Sequence, residues 1–151
     1  MSIREDIAAN IVQALQGITD PNVVLVSRNP INISDLSIAQ YPAIIVRSAD
    51  EDREDAGFGP TAGLRISNIN YIIHGYVRAE SSATSVNNNI DTQKNKLIEA
   101  IEEKLEEDRK RNSLAMNSFV SNITSDDTQA YPLGKVDITY TVQYKYTRGT
   151  N

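Results

Sequence analysis

The sequence predicts an α+β fold: an antiparallel or mixed β-sheet that carries two helices on one face and extends into a long protruding β-hairpin. Apolar residues recur at helical spacing in two separate segments. The C-terminal segment alternates apolar and polar residues, as a strand with one wet face does. Helices and strands do not alternate regularly along the chain, which argues against a parallel βαβ architecture.

Length and composition predict one domain over residues 1–151 and exclude several classes of protein. The chain has 151 residues, no cysteine and one histidine, which excludes disulfides, thiolate metal sites and multi-histidine metal sites. A net charge of −5 argues against a protein that coats nucleic acid or binds an anionic membrane surface. There is neither a signal-peptide pattern nor an apolar run of about 20 residues, so we expect no membrane association and a cytoplasmic site of synthesis.

The first helix is predicted from Ile3 to Leu15. Ser2 and Glu5 have the spacing of a capping box, and Gly17 ends the pattern. Its apolar stripe recurs every four residues, at Ile3, Ile7, Ile11 and Leu15. The next segments are predicted as a short strand, one or two helical turns and a second strand, at 23–26, 34–40 and 41–46.

A mobile acidic loop is predicted at about 50–63. Asp50 to Asp55 carries five acidic residues against one basic residue, and three glycines and a proline follow by Gly63. The next strand is predicted from Leu64 to Val77, with Ile69, Tyr71, Ile73 and Val77 on one face. If this strand pairs with the one at 41–46, the acidic loop is the tip of a hairpin.

The second half of the chain predicts a helix at 90–109, a strand at 119–124 and a final strand at 135–147. The final strand would be about 43 Å long at about 3.3 Å per residue, whereas a globule of this size has a radius of gyration of about 15 Å. Such a strand reaches across the domain or beyond it. An arm of this kind presents unpaired edges that a neighbouring copy can extend, and repeated head-to-tail contacts close into a ring. The alternative is that the loop is disordered and the strands bend at Gly75 or Pro42.

Catalytic signatures are absent from the sequence, so we expect a protein that is not an enzyme and has no cofactor. His74 is predicted to be a hydrogen-bonded sheet residue, since its neighbours on the same strand face are apolar or aromatic. A remote alternative is a small metal-dependent enzyme that uses carboxylates from two loops, at Asp50, Asp52, Asp126 and Asp127.

The order and spacing of these segments resemble the tail terminator family of long-tailed bacteriophages, which includes the lambda minor tail protein U. The likeness covers most of the chain, from the helix at Ile3–Leu15 onwards. Its motifs are Tyr41-Pro42-Ala43-Ile44-Ile45-Val46 before the acidic loop, His74-Gly75-Tyr76-Val77 before the second helix, and Tyr131-Pro132-Leu133-Gly134-Lys135-Val136 at the entry to the final strand.

The resemblance implies a structural virion protein at the head-proximal end of the tail. It implies a hexameric ring that binds the last ring of tail tube protein, stops its polymerisation and docks a head-side connector protein. A sheath protein would be a partner where the tail is contractile, and DNA would pass through the ring lumen without sequence-specific binding. The alternative is a head–tail connector or tail completion protein of the neck. The resemblance also implies a subunit or tube interface at Asp50, Glu51, Asp52, Arg53, Glu54, Asp55, Phe58 and Arg65.

Overall fold

The computed structural model describes residues 2–19, 23–29, 41–55, 63–78, 90–125 and 133–147. These residues form two helices and five strands: α1 (Ile3–Gln16), β1 (Leu25–Ser27), β2 (Ala43–Asp55), β3 (Leu64–Arg78), α2 (Ile90–Glu106), β4 (Asn117–Ser125) and β5 (Leu133–Thr147). The strands form one sheet in the order β1-β2-β3-β5-β4. The β1–β2 pair is parallel and the other pairs are antiparallel, which confirms the predicted α+β fold with a mixed sheet.

Helix α1 begins where the sequence predicts. The Ser2 side chain accepts a hydrogen bond from the Glu5 amide at 3.2 Å, which satisfies one of the amides that the first turn leaves unpaired. The helix buries a stripe of apolar residues on one side, at Ile7, Ala8, Ile11 and Leu15. The Tyr71 hydroxyl donates to the Arg4 carbonyl at 3.0 Å and so attaches the start of the helix to β3.

Both helices pack on one face of the sheet, as predicted. The main core cluster combines residues from α1 and α2 with alternate residues of the strands, including Ile69, Tyr71, Ile73, Val136, Ile138, Tyr140, Val142 and Tyr144. The alternation follows from the two-residue period of a strand, which puts every second side chain on the same face. The opposite face, called the open face below, has a small cluster that contains no helical residue, at Ala43, Ile45 and Tyr76 with Leu25 and Tyr41 against it.

The prediction that the acidic loop begins at Asp50 is wrong. Strand β2 continues to Asp55 and stays paired with β3 as far as Arg65, with a register shift between Ser48 and Glu51. Acidic residues are depleted in strands in general, which is why composition indicated a loop. They are nevertheless common on edge strands, where their charge discourages unwanted pairing. The rest of the predicted loop, residues 56–62, lies outside the described residues.

The protruding hairpin is not confirmed. Strands β2 and β3 are long and antiparallel, but β5 pairs with β3 along its whole length, from Arg78 opposite Leu133 to Leu64 opposite Thr147. The end of the sheet at which β2 finishes is therefore three strands wide, and Tyr144 and Tyr146 on β5 are buried there. The arm that the strand lengths suggested is thus an integral part of the sheet. The predicted helical turns at 34–40 lie outside the described residues.

Helix α2 ends three residues earlier than predicted, and a buried arginine binds carbonyl groups at its end. Arg111 is 1% exposed, and its guanidinium donates to the Leu105 carbonyl at 2.8 Å and, through Nε, to the Asp108 carbonyl at 2.7 Å. These bonds satisfy carbonyl groups that a helix end leaves without partners. Arg111, Asn112 and Ser113 all have positive φ angles, of 47°, 57° and 66°, which turns the chain back towards β4.

Candidate subunit interface

The structure divides the predicted interface residues into two groups. Asp50, Asp52 and Glu54 are exposed on β2. Glu51, Arg53 and Arg65 are on the same face of the sheet as the core, opposite Ile69, Ser67 and Tyr146. Glu51 and Arg65 are half-buried there, whereas Arg53 is exposed. Asp55 is the last residue of β2, and Phe58 lies outside the described residues.

Glu51 is the centre of a polar cluster between α1 and three strands, called the Glu51 cluster below. Its side chain is 9% exposed. Arg4 of α1 places its Nε 2.9 Å from Oε1, and Oε2 accepts hydrogen bonds from Ser67 of β3 at 2.5 Å and from Tyr144 of β5 at 2.9 Å. Arg53 of β2 also pairs with Oε2. The register shift in β2 is what brings this carboxylate to the inner face.

The environment of Glu51 keeps it ionised. Burial alone would raise the pKa of this carboxyl, but the hydrogen bonds from Arg53, Ser67 and Tyr144, together with the charge of Arg53, lower the pKa below its ordinary value. The guanidinium of Arg53 also lies 4.6 Å from the centre of the Tyr146 ring, in a cation–π contact. Glu51 and Arg53 therefore make their contacts within one subunit. The Glu51 carboxylate has little exposed surface with which to contact a partner.

The other acidic residues form an exposed row on the outer strand, called the acidic edge below: Asp50, Asp52 and Glu54. Strand β1 pairs with β2 only over Ala43–Ile45, so the outer side of β2 beyond that point has no paired strand among the described residues. Asp52 and Glu54 share the open face with their β3 partners Asn68 and Ile66. Within the described part of the chain, no ion pair or hydrogen bond engages these three carboxylates.

A second polar group lies on the open face and is called the Arg47 site below: Arg47 on β2, His74 on β3, and Asp137 and Lys135 on β5. His74 Nδ1 is 2.5 Å from an Asp137 carboxylate oxygen, and Arg47 Nε donates to His74 Nε2 at 3.2 Å. Lys135 Nζ is 3.7 Å from the same Asp137 oxygen. The prediction that His74 is a hydrogen-bonded sheet residue is confirmed. Its partners were missed, because they come from three strands and only the register brings them together.

The described residues contain neither a cluster that could hold a metal ion nor a helix that could span a membrane. Nowhere in ranges 2–19, 23–29, 41–55, 63–78, 90–125 and 133–147 do three histidine or carboxylate side chains converge in a way that could hold a metal ion. Asp126 and Asp127 of the remote metal-enzyme hypothesis lie outside these ranges, so their distance from Asp50 and Asp52 is not defined. The two described helices are both too short or too polar to cross a membrane.

Comparison with solved structures finds a similar fold in a chain of known structure. The chain is similar to a chain of the virion of a native gene transfer agent particle, with a TM-score of 0.56 and 10% sequence identity. The match covers 96% of this chain and 98% of that one, so the likeness extends over the whole fold. No family model matches the sequence, and no curated protein matches it.

Proposed function

We propose that this chain is a structural virion protein without enzymatic activity, and that it acts as a tail terminator. In this role it forms a ring on the last ring of tail tube protein, stops tube polymerisation and provides the surface on which the head docks. The observation that carries the proposal is the fold-wide likeness to a chain of a gene transfer agent virion. The order of segments in the sequence supports it independently, through the resemblance to the tail terminator family.

The distribution of charge supports assembly with other proteins. The acidic edge exposes three carboxylates without partners among the described residues, beside a stretch of β2 with an unpaired outer side. These like charges repel one another, so a partner of opposite charge would relieve that repulsion. A neighbouring subunit or the tube protein can supply the opposite charge. The Glu51 cluster meanwhile links β2 to α1, β3 and β5 at this end of the sheet.

A tube-capping assay tests the proposal. Tube protein from the same genome is polymerised with increasing amounts of the purified chain, and tube lengths and tube ends are measured by negative-stain electron microscopy. We expect shorter tubes, each closed at one end by a ring-shaped density. Tubes of unchanged length with bare ends, at a molar excess of the chain, would contradict the terminator role.

The second candidate is a head–tail connector or tail completion protein in the neck of the same particle. The likeness to a virion chain supports this candidate as well, because the fold alone carries no position within the particle. A pull-down with the chain as bait separates the two. Retention of tube protein supports the terminator, whereas retention of the head-side connector alone, without any effect on tube length, supports the neck protein.

A further inference from the structure

We propose that Arg47 is the point at which one copy of this chain receives the acidic edge of the next copy. This inference rests on the proposed ring and names the contact that would build it. It begins from the orientation of Arg47, which is exposed on the open face of β2. His74 accepts a hydrogen bond from Arg47 Nε, and the other nitrogen of the His74 ring is hydrogen-bonded to the Asp137 carboxylate.

The hydrogen bond to His74 uses Nε of Arg47 and not its two terminal nitrogens, which have no partner in the described part of the chain. Arg47 makes no other hydrogen bond or ion pair with a described residue. With Nε engaged, the planar guanidinium has a fixed direction, and its Nη1 and Nη2 groups form a fork that fits a carboxylate. Anchoring the side chain in advance also reduces the conformational entropy lost when a partner binds.

Asp52 and Glu54 of the same copy are too far away to fill this fork. Arg47 lies opposite Ile72 of β3, whereas Asp52 and Glu54 lie opposite Asn68 and Ile66. The separations of four and six residues along β3 correspond to about 13 Å and about 20 Å, at about 3.3 Å per residue. Both exceed the reach of an ion pair and the screening length at physiological salt, which is about 8 Å. Among the described residues, the Arg47 fork and these two carboxylates therefore do not satisfy one another.

A second copy is the partner that the charges favour. The chain has a net charge of −5, which repels a nucleic acid backbone and a second copy alike, so local complementarity has to favour the partner. A second copy brings its own exposed carboxylates at Asp52 and Glu54. Because the donor and acceptor surfaces are different parts of β2, an open row of subunits in head-to-tail contact keeps one unfilled surface of each kind, at its two ends. Such a contact repeats until the ring closes.

Charge reversal tests the contact in the full-length chain. Arg47→Glu removes the receiving cation, and Asp52→Lys with Glu54→Lys reverses the edge. We expect each of these two variants to lower the fraction of rings at least tenfold, measured by mass photometry and by counting capped tube ends. The chain that carries all three substitutions should regain rings, because the introduced glutamate of one copy then meets the introduced lysines of the next. Lys145→Glu, an equal charge change at an exposed residue of β5 on the same face, should leave ring formation intact.

The outcomes separate this inference from the proposed function. If the wild-type chain shortens tubes and Arg47→Glu caps them equally well, the Arg47 contact is overturned and the terminator role stands. Failure of the triple variant to recover, assembly that stops at dimers, or loss of DNA binding as the only effect of Arg47→Glu would also overturn the contact. If the wild-type chain has no effect on tubes, the proposed function fails whatever the variants do. Circular dichroism of each variant identifies any loss of folding.

Discussion

The Tyr144 hydroxyl donates a hydrogen bond to Glu51 at 2.9 Å, although the two residues belong to strands that are not neighbours in the sheet. Strand β3 lies between them and contributes Ser67 to the same carboxylate oxygen. Arg4 adds the start of α1 to the cluster. One carboxylate thus links a helix and three strands at the end of the sheet where the sequence predicted a protruding hairpin. This explains how long strands remain ordered there.

Removing the charge of Glu51 should destabilise the fold. Glu51→Gln keeps the shape but weakens the pairing with Arg4 and Arg53, and leaves these cations without a counter-charge. We expect a loss of about 1–3 kcal/mol in the free energy of unfolding, measured by urea denaturation. The matched control is Asp52→Asn on the exposed face of the same strand, which should change stability by less than about 0.5 kcal/mol. Equal effects of the two substitutions would show that the Glu51 cluster makes no specific contribution to the free energy of unfolding.

The same carboxylate should make stability depend on acid pH. The pKa of Glu51 is lowered in the folded protein from an ordinary value of 4.5, because burial is outweighed by the hydrogen bonds and charge around it. A group with a lowered pKa stabilises the fold fully above its ordinary value, and that contribution is lost as pH falls through the folded pKa. The difference in unfolding free energy between wild type and Glu51→Gln should therefore be constant from about pH 7 to about pH 5.5. It should shrink below about pH 4.5, and a constant difference down to about pH 3 would contradict the assignment.

Gly75 allows α2 to pack closely on the sheet. A Cβ atom at this position would lie 2.8 Å from Leu97 Cδ2 and 2.8 Å from Val136 Cγ2, both in the buried core. Gly75→Ala should cost about 1–3 kcal/mol in the free energy of unfolding, since neither neighbour can move without disturbing the core. At Gly17 an added Cβ would lie 3.0 Å from the flexible end of Lys104 and 3.2 Å from the Ala14 carbonyl, so Gly17→Ala should cost clearly less than Gly75→Ala. Thermal unfolding of both variants checks the contrast, and equal melting temperatures would refute it.

Much of the fold could be predicted from the sequence because its elements have clear periods. The stripe of α1 and the alternation of β5 each identify one buried face, and the structure confirms both. The path of β2 could not be predicted. Its acidic residues resemble a loop in composition, and the register shift that turns Glu51 inward depends on pairing with β3. Local sequence does not encode that pairing.

The candidate interface was predictable only in part, for a related reason. The run of charges identified the acidic edge, but it could not show that Glu51 and Arg53 are used within the subunit. The Arg47 site was missed altogether, because Arg47, His74 and Asp137 are far apart in the sequence. Their registers, His74 opposite Asp137 and Ile72 opposite Arg47, bring them together across three strands.

Arg111 should be necessary for the turn after α2. Its guanidinium is buried and bonded to the carbonyls of Leu105 and Asp108. Arg111→Leu removes the guanidinium from both carbonyls and leaves the Asp108 carbonyl only the residue 111 amide at 3.3 Å, so we expect a loss of about 2–4 kcal/mol in unfolding free energy. Ser113→Gly should instead be neutral or stabilising by about 0.5 kcal/mol, because glycine adopts the positive φ of 66° without strain. A stable Arg111→Leu variant with an unchanged denaturation midpoint would contradict this role.

The Arg47 site predicts which nitrogen of the single histidine carries the proton. Arg47 Nε is a donor, so His74 Nε2 must accept, and Nδ1–H must donate to Asp137. At about pH 8 we therefore expect the neutral Nδ1–H tautomer in two-dimensional ¹⁵N–¹H spectra of the ring. His74→Gln should remove the ring signals altogether. A neutral Nε2–H tautomer under the same conditions would show that His74 does not orient Arg47.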